Sequence, residues 1–255
     1  MEKSGKKIAF VAGSSRGIGR AIARVMLRED YRTLITGRES SSLQKTVEYF
    51  RSEFEGDVLG FEGDLTDEMV IRQALETLVN TWGGRLNALV INIGSGRGKN
   101  GWDLTDGDWQ DSFAVNFWGP VRIAQAAIPI LAPQGTIIFI SSIAGVERLP
   151  APLPYSAAKA ALINYAKNLS WVVANLSIRV NCIAPGNILF PGSSWERRLR
   201  DERDQVLDYI QSEVASKRFG EPEEVAEMIG FLCSAKASFI TGACIVIDGG
   251  QTRTT

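Results

Sequence analysis

Residues 12–19 read Ala12-Gly13-Ser14-Ser15-Arg16-Gly17-Ile18-Gly19. An apolar run over 7–12 precedes them and a helical pattern over 17–30 follows, so the glycines stand in a strand-to-helix turn. Glycine lets the backbone approach a pyrophosphate, and the helix start supplies N–H donors and the positive end of its dipole. A glycine-rich turn alone signifies little, because glycine is common in turns for steric reasons. Set between a first strand and a first helix, it predicts a dinucleotide site at Gly13, Ser15, Arg16, Gly17, Ile18 and Gly19.

Outward from that turn, apolar runs of strand length alternate with helical patterns. Strands are expected over 7–12, 32–36, 58–62, 88–91, 136–140, 178–183 and 243–247; helices are expected over 17–30, 43–54, 67–82, 108–131, 155–175 and 222–232. Such alternation argues for an α/β fold with a parallel sheet. Asp67 and Glu68 place carboxylates in a first helical turn, where the dipole favours them. Pro222 opens a helix where its missing N–H costs nothing. The stretch 187–204, rich in Gly, Pro, Ser and Arg, is the one poorly patterned region.

The 255 residues fit a single α/β domain, and 45% hydrophobic with 22% charged residues is ordinary globular composition. A net charge of -1 favours neither nucleic acid nor an anionic membrane as partner. Cys182, Cys233 and Cys244 are widely spaced without a CxxC pair, which argues against a disulfide framework or a metal site and for a cytoplasmic protein. The charged residues 1–7 lead into an apolar run too short for a signal peptide, and no stretch approaches a membrane span.

The chain has no histidine, so proton transfer at neutral pH must use other groups. Tyr155 and Lys159 lie four apart, on one helical face, and Ser142 can come from a neighbouring strand end. A tyrosine acting as base near neutrality needs its pKa of about 10 lowered by about three units, or about 4 kcal/mol. One opposite charge supplies about 1 to 3 units. Lys159 alone is borderline, and a second positive charge such as an oxidised nicotinamide would complete the arrangement. At the end of the second strand, Thr36-Gly37-Arg38-Glu39 has no acid at 37 to accept from a ribose 2′-hydroxyl, while Arg38 and Arg16 offer guanidiniums to a 2′-phosphate. This favours NADP(H) over NAD(H). The alternative is that both arginines are solvated, and Glu39 complicates the reading.

With these residues in view, the chain resembles the short-chain dehydrogenase/reductase family, and within it the 3-oxoacyl-(acyl carrier protein) reductase-like branch. The resemblance runs through the glycine turn, Asp64-Leu65, Asn92-Ile93-Gly94, Asn116, Ser141-Ser142, Tyr155-Ser156-Ala157-Ala158-Lys159, Pro185-Gly186, residues 218–222 and Asp248-Gly249-Gly250. It implies a Rossmann-like, doubly wound, seven-stranded parallel sheet in one domain. A dinucleotide-binding half would span about 1–145, and a catalytic and substrate-binding half about 146–255 with a flexible lid over 187–204. It also implies hydride transfer between a nicotinamide and a carbonyl or alcohol. Tyr155 would be the acid/base and would also line the cofactor site, Lys159 would lower its pKa and bind the nicotinamide ribose, and Ser142 would bind the reacting oxygen. Asn116 would hold a water in a proton relay. Asp64 and Leu65 would meet the adenine, Asn92 and Gly94 its ribose, and Pro185, Gly186 and Ile188 the nicotinamide. In members that prefer NAD an acid stands where this chain has Gly37.

Three positions depart from the family pattern: Ala12 for a threonine, Ile93 for an alanine, and Phe190 for a threonine that reaches the cofactor. The substrate is less legible. Arg97 and Lys99 on the glycine-rich loop 95–102 could bind an anionic group, and Trp102 or Trp195 could stack on a sugar or aromatic ring; a mobile loop with solvated charges is the alternative. The readings are a reductase of small or carrier-bound carbonyls, a dehydrogenase of a sugar or polysaccharide precursor, and a dinucleotide-binding regulator without turnover. Apolar residues around Trp118 and Tyr165 predict a homotetramer, with a dimer second.

Overall fold

The computed structural model describes residues 5–54 and 57–253. Residues 1–4, part of the charged stretch 1–7 read against a signal peptide, and 254–255 lie outside them. Seven strands, β1 (Lys7–Ala12), β2 (Tyr31–Gly37), β3 (Val58–Glu62), β4 (Leu86–Ile91), β5 (Leu131–Ile140), β6 (Arg179–Pro185) and β7 (Cys244–Ile247), form one sheet in the order β3-β2-β1-β4-β5-β6-β7. Every pairing is parallel. The helices are α1 (Gly17–Arg28), α2 (Ser40–Glu53), α3 (Glu68–Trp82), α4 (Asp106–Phe113), α5 (Gly119–Ala127), α6 (Leu153–Val172), α7 (Ser194–Asp201), α8 (Arg203–Glu213) and α9 (Pro222–Cys233).

The central strands are buried on both faces, so they read as continuous apolar runs. Ile22 and Met26 of α1, Phe50 of α2 and Ile229 of α9 pack on one face against Val11, Val90 and Ile138. Leu78 of α3, Ile123 of α5 and Leu162 of α6 pack on the other against Phe10, Leu89 and Phe139. This is the doubly wound, seven-stranded Rossmann-like architecture expected. The chain winds outward in opposite directions from β1 and β4, so the loops leaving their carboxyl ends diverge and open a crevice.

Three stretches differ most from the sequence reading; elsewhere boundaries shift by a few residues, as at α2, which starts at Ser40 instead of 43, and β5, which starts at Leu131 instead of 136. The expected helix 108–131 starts earlier, at Asp106, behind a capping box between Thr105 and Asp108. It then widens into a π-helical turn at Ala114–Trp118, resumes as α5, and gives way to β5 at Leu131. The expected helix 155–175 starts at Leu153 with Pro154 in its first turn and ends at Val172; a 3-10 turn, Ala174–Leu176, follows it and is closed by Ser177 in a left-handed conformation, φ 57°, ahead of β6. The poorly patterned stretch 187–204 holds α7, and α8 carries the chain on to Glu213. Ser193 caps α7 by accepting from the Glu196 N–H at 3.0 Å. Of the two carboxylates expected in a first turn, Glu68 lies there, whereas Asp67 precedes α3 as its N-cap and accepts from the N–H groups of Met69 and Val70.

Candidate active site

The glycine turn is locked before any ligand arrives. Gly13 N–H donates to the Thr36 hydroxyl at 2.9 Å, and Asn92, after β4, donates its side-chain amide to the Gly13 carbonyl at 2.8 Å. Ser14, fully buried, accepts from Thr36 N–H and donates to the Val11 carbonyl. Gly13 and Gly17 have φ of 71° and 53°, which disfavour a side chain. A methyl on Gly19 would stand 2.1 Å from the Gly13 carbonyl oxygen, so that position is fixed by the close passage of α1 past the turn. Ser15, Arg16 and Ile18 line the cleft while Gly17 and Gly19 shape it. No acid occupies the first turn of α1 to compete with a bound anion for its amides. This donor set fits the pyrophosphate of a dinucleotide.

Phe190, one of the three departures, lies over that turn. A methyl on Gly17 would meet its ring at 2.4 Å. Ile93, the second, fills space beside Gly13 and Gly119, its methyls 3.3 and 2.8 Å from a carbon built there. Ala12, the third, packs in the core.

Beside the ends of β2 and β3, Gly37, Arg38, Asp64, Leu65, Asn92 and Gly94 all line the same cleft. The Arg38 guanidinium stands 3.9 Å from the Asp64 carboxylate, and both are exposed. The other Asp64 oxygen accepts from the N–H and the hydroxyl of Thr66 at 3.0 and 2.9 Å. Gly37 has a packing reason as well as a chemical one: a methyl there would stand 2.8 Å from the Ser15 β-carbon. Glu39 lines the cleft too, but precedes α2 without capping it through its side chain.

At the other end the loop after β5 and the first turns of α6 bring Ser142, Tyr155 and Lys159 together. Lys159 is 3% exposed, and its ammonium donates to the Ile140 carbonyl at 2.9 Å, 6.0 Å from the centre of the Tyr155 ring. Burial lowers its pKa to about 8. Burial pushes the Tyr155 phenol up, and a hydrogen bond with Ser142 pulls it back in part. The lowering expected from Lys159 is therefore not what governs Tyr155 in the protein alone; desolvation is the larger effect.

Asn116 lies fully buried in the π-helical turn. Its Oδ1 accepts from Ser95 N–H at 2.9 Å, and its Nδ2 donates to the carbonyls of Ser95 and Ser112, both at 3.0 Å. The amide thus pins the loop after β4 to the helix. Oδ1 and the Lys159 ammonium approach the same side of Gly94, at 3.0 and 2.9 Å from a carbon built there. Pro185, Gly186 and Ile188 leave β6 along the cleft floor. A methyl on Gly186 would stand 2.7 Å from the Asp248 β-carbon, so the floor and the chain after β7 are in close contact.

The cleft measures about 1150 Å³ and runs from the glycine turn to Tyr155. Part of its wall escaped the sequence reading: Leu149, Pro150, Ala151 and Pro152 form an apolar side, whose signal was the proline-rich run ahead of α6. Gly98 packs on Pro152, and Gly96 lies beside the Tyr155 ring. Arg97 lines the cleft, whereas Lys99 bonds the Asp103 carbonyl and Trp102 is 89% exposed. Trp195 does not offer a free face: Tyr209 stacks on it at 5.7 Å, Phe219 packs at 5.5 Å, and the Arg198 guanidinium lies 4.8 Å from its ring centre. Among the described residues no cluster could hold a metal ion, and no helix is long and apolar enough to cross a membrane.

The family model described as enoyl-(acyl carrier protein) reductase matches residues 12–252. The chain is 33% identical over 247 residues to the 3-oxoacyl-[acyl-carrier-protein] reductase FabG of Aquifex aeolicus, covering 96% of this chain and 97% of that one. Its fold superposes on the L-sorbose reductase of Gluconobacter frateurii, solved with NADPH and L-sorbose, with a TM-score of 0.90, 31% identity and 98% of both chains covered. An actinorhodin polyketide ketoreductase variant solved with NADPH gives a TM-score of 0.88 at 27% identity over 98% of each chain.

Proposed function

The chain belongs to the short-chain dehydrogenase/reductase family, and we propose that it is an NADP(H)-dependent reductase of a small or carrier-bound carbonyl compound, with Tyr155 as the proton donor. The observation that carries this reading is one continuous cleft, with the Gly13–Gly19 turn at one end and Ser142, Tyr155 and Lys159 at the other. A bound reduced nicotinamide supplies the hydride. The amides at the start of α1 would hold its pyrophosphate, Asn92 and Gly94 would border its adenosine, and Pro185, Gly186 and Ile188 would flank its ring.

Ser142 and the Tyr155 hydroxyl would together polarise the substrate carbonyl, and Tyr155 would pass its proton to the oxygen as the alcohol forms. Burial suits this direction, since it keeps the phenol protonated at neutral pH. Lys159 would replace the proton. Asn116 Oδ1 accepts one hydrogen bond and can accept a second, and would hold a relay water beside Lys159. NADP(H) is favoured by Arg16 and Arg38 at one end of the cleft and by the absence of an acid at Gly37. NADPH is also what the L-sorbose reductase and ketoreductase structures contain. Helices α7 and α8, with the chain leading into them, would act as the substrate lid.

NADPH oxidation against a panel of oxoacyl thioesters, ketones and oxidised sugars tests the activity. If none is turned over although NADPH binds tightly, the protein is a dinucleotide-binding regulator instead. A sugar substrate is the second reading, favoured by the L-sorbose reductase likeness and by the polar rim at Arg97 and Asn100. The relative rates on sugars and thioesters separate the two.

The protein would act in the cytoplasm as a homotetramer. Trp118 at 49% and Trp171 at 86% exposure leave apolar surface for another copy to cover on the helical layer around α5 and α6. Light scattering giving a monomer would overturn this.

A further inference from the structure

After β7 the chain does not trail away but turns back under the lid. The Asp248 carboxylate accepts from the N–H groups of Gly250 and Thr252 at 2.9 and 2.7 Å, while Gly249 and Gly250 take φ of 66° and 79°. This tight turn presents Gln251, which is only 5% exposed. The Gln251 side chain makes two short bonds in opposite directions. Its Oε1 accepts from Asn187 Nδ2 at 2.7 Å, and its Nε2 donates to the Tyr209 hydroxyl at 2.6 Å.

Those two partners belong to different elements that line the cleft. Asn187 follows Gly186 on the floor, and Tyr209 projects from α8, where it stacks on Trp195 of α7. Arg253 reinforces the arrangement: its N–H donates to the Glu147 carboxylate at 2.7 Å and its guanidinium to Glu213, at the end of α8, at 3.1 Å. The tail therefore joins the loop after β5, the floor after β6 and the lid.

We propose that Gln251 is a positioning residue that latches the α7–α8 lid to the cleft floor, through Tyr209 and Asn187, and so sets the space left for the substrate. The proposal rests on the reading of the cleft as a carbonyl-reduction site. Gln251 fixes the Tyr209 hydroxyl as an acceptor on the tail side, so its own proton is available for donation elsewhere. Loss of the latch leaves two amide or hydroxyl groups without partners in a half-dry site, and the lid loosens before the fold does.

The test replaces Gln251 by Met, which keeps its length but neither bond, and by Glu, whose carboxylate can accept from both Asn187 and the Tyr209 O–H. Gln251→Met is expected to raise KM for the carbonyl about tenfold with kcat and NADPH affinity unchanged. Amide hydrogen exchange over 194–213 in the protein alone is expected to be about tenfold faster, with the sheet unaffected. Gln251→Glu restores both, and Tyr209→Phe reproduces the Met variant without adding to it, which also tests the latch if Gln251→Met fails to fold. Unchanged exchange over 194–213, equal loss in Gln251→Glu, or additive effects with Tyr209→Phe would overturn the latch. Exchange needs no substrate, so it decides the latch even where the absence of carbonyl turnover removes the functional reading.

Discussion

The Lys159 ammonium bonds the Ile140 carbonyl at 2.9 Å, and this backbone oxygen at the end of β5 is its partner in a site that is 3% exposed. Among the described residues no carboxylate pairs with the charge; burial lowers the pKa from 10.5 to about 8. The sign follows from proton counting. Between pH 8 and 10.5 the native lysine has released its proton while the unfolded one still holds it, so stability rises with pH across that window. Below pH 8 both states are protonated and the native state bears the full cost of the buried charge. Lys159→Met removes the titration, so the stability difference between wild type and variant should shift in favour of wild type as pH rises from 8 to 10.5. Urea midpoints at several pH values check this; a constant difference would contradict the early release of the proton.

Tyr155→Phe should lower kcat/KM about 10² to 10⁴-fold, the usual worth of a positioned proton donor. NADPH binding should survive, because the ring stays in place and only the hydroxyl is lost. Because Ser142 pulls the Tyr155 pKa down, Ser142→Ala should raise it further as well as weaken carbonyl polarisation. Steady-state kinetics with NADPH titrations separate binding from chemistry.

Cofactor choice should turn on Arg38. Its present partner, Asp64, stands 3.9 Å away across exposed surface, a contact weak enough for a 2′-phosphate to displace. A lost charge-assisted bond of about 1.5 to 3 kcal/mol predicts that Arg38→Ser raises KM for NADPH about 10 to 100-fold. KM for NADH should hardly change. Placing an acid at 37 is a poorer probe, since its β-carbon would meet Ser15 at 2.8 Å. Equal effects on both cofactors would show that Arg38 does not read the phosphate.

Elements whose signal is local were legible in the sequence. The first strand, its glycine turn and α1 follow one another without a break over 7–28, and Tyr155 and Lys159 share a helical face by spacing alone. The π-helical turn at Ala114–Trp118 was not legible, because a single five-residue departure inside a longer helix carries no residue signature of its own. Helix α7 was hidden for the opposite reason: it buries no residue, so it has no apolar stripe, and it depends on the Ser193 cap and on Trp195 packing against Tyr209. The partners of Lys159 and Gln251 belong to strand ends and helices far along the chain, and only the tertiary fold joins them.

Gly94 offers the sharpest separation of catalysis from folding. A carbon added there would stand 2.9 Å from the Lys159 ammonium and 3.0 Å from Asn116 Oδ1. Of the two, the lysine yields more easily, because its nitrogen ends a flexible chain, whereas Asn116 is held by Ser95 and Ser112. Gly94 is not among the residues with positive φ, so alanine brings no backbone strain of that kind. Gly94→Ala should therefore cost little stability, about 1 kcal/mol from crowding. Displacing the ammonium from the Ile140 carbonyl should nevertheless lower kcat about 10²-fold, since misplacement of about 1 Å at a reacting group carries that penalty. Denaturant midpoints and kcat measured on the same preparation give both quantities. A large stability loss with proportionate activity would mean that Gly94 serves packing, while intact activity would show that the Lys159 position seen here is not the one the reaction uses.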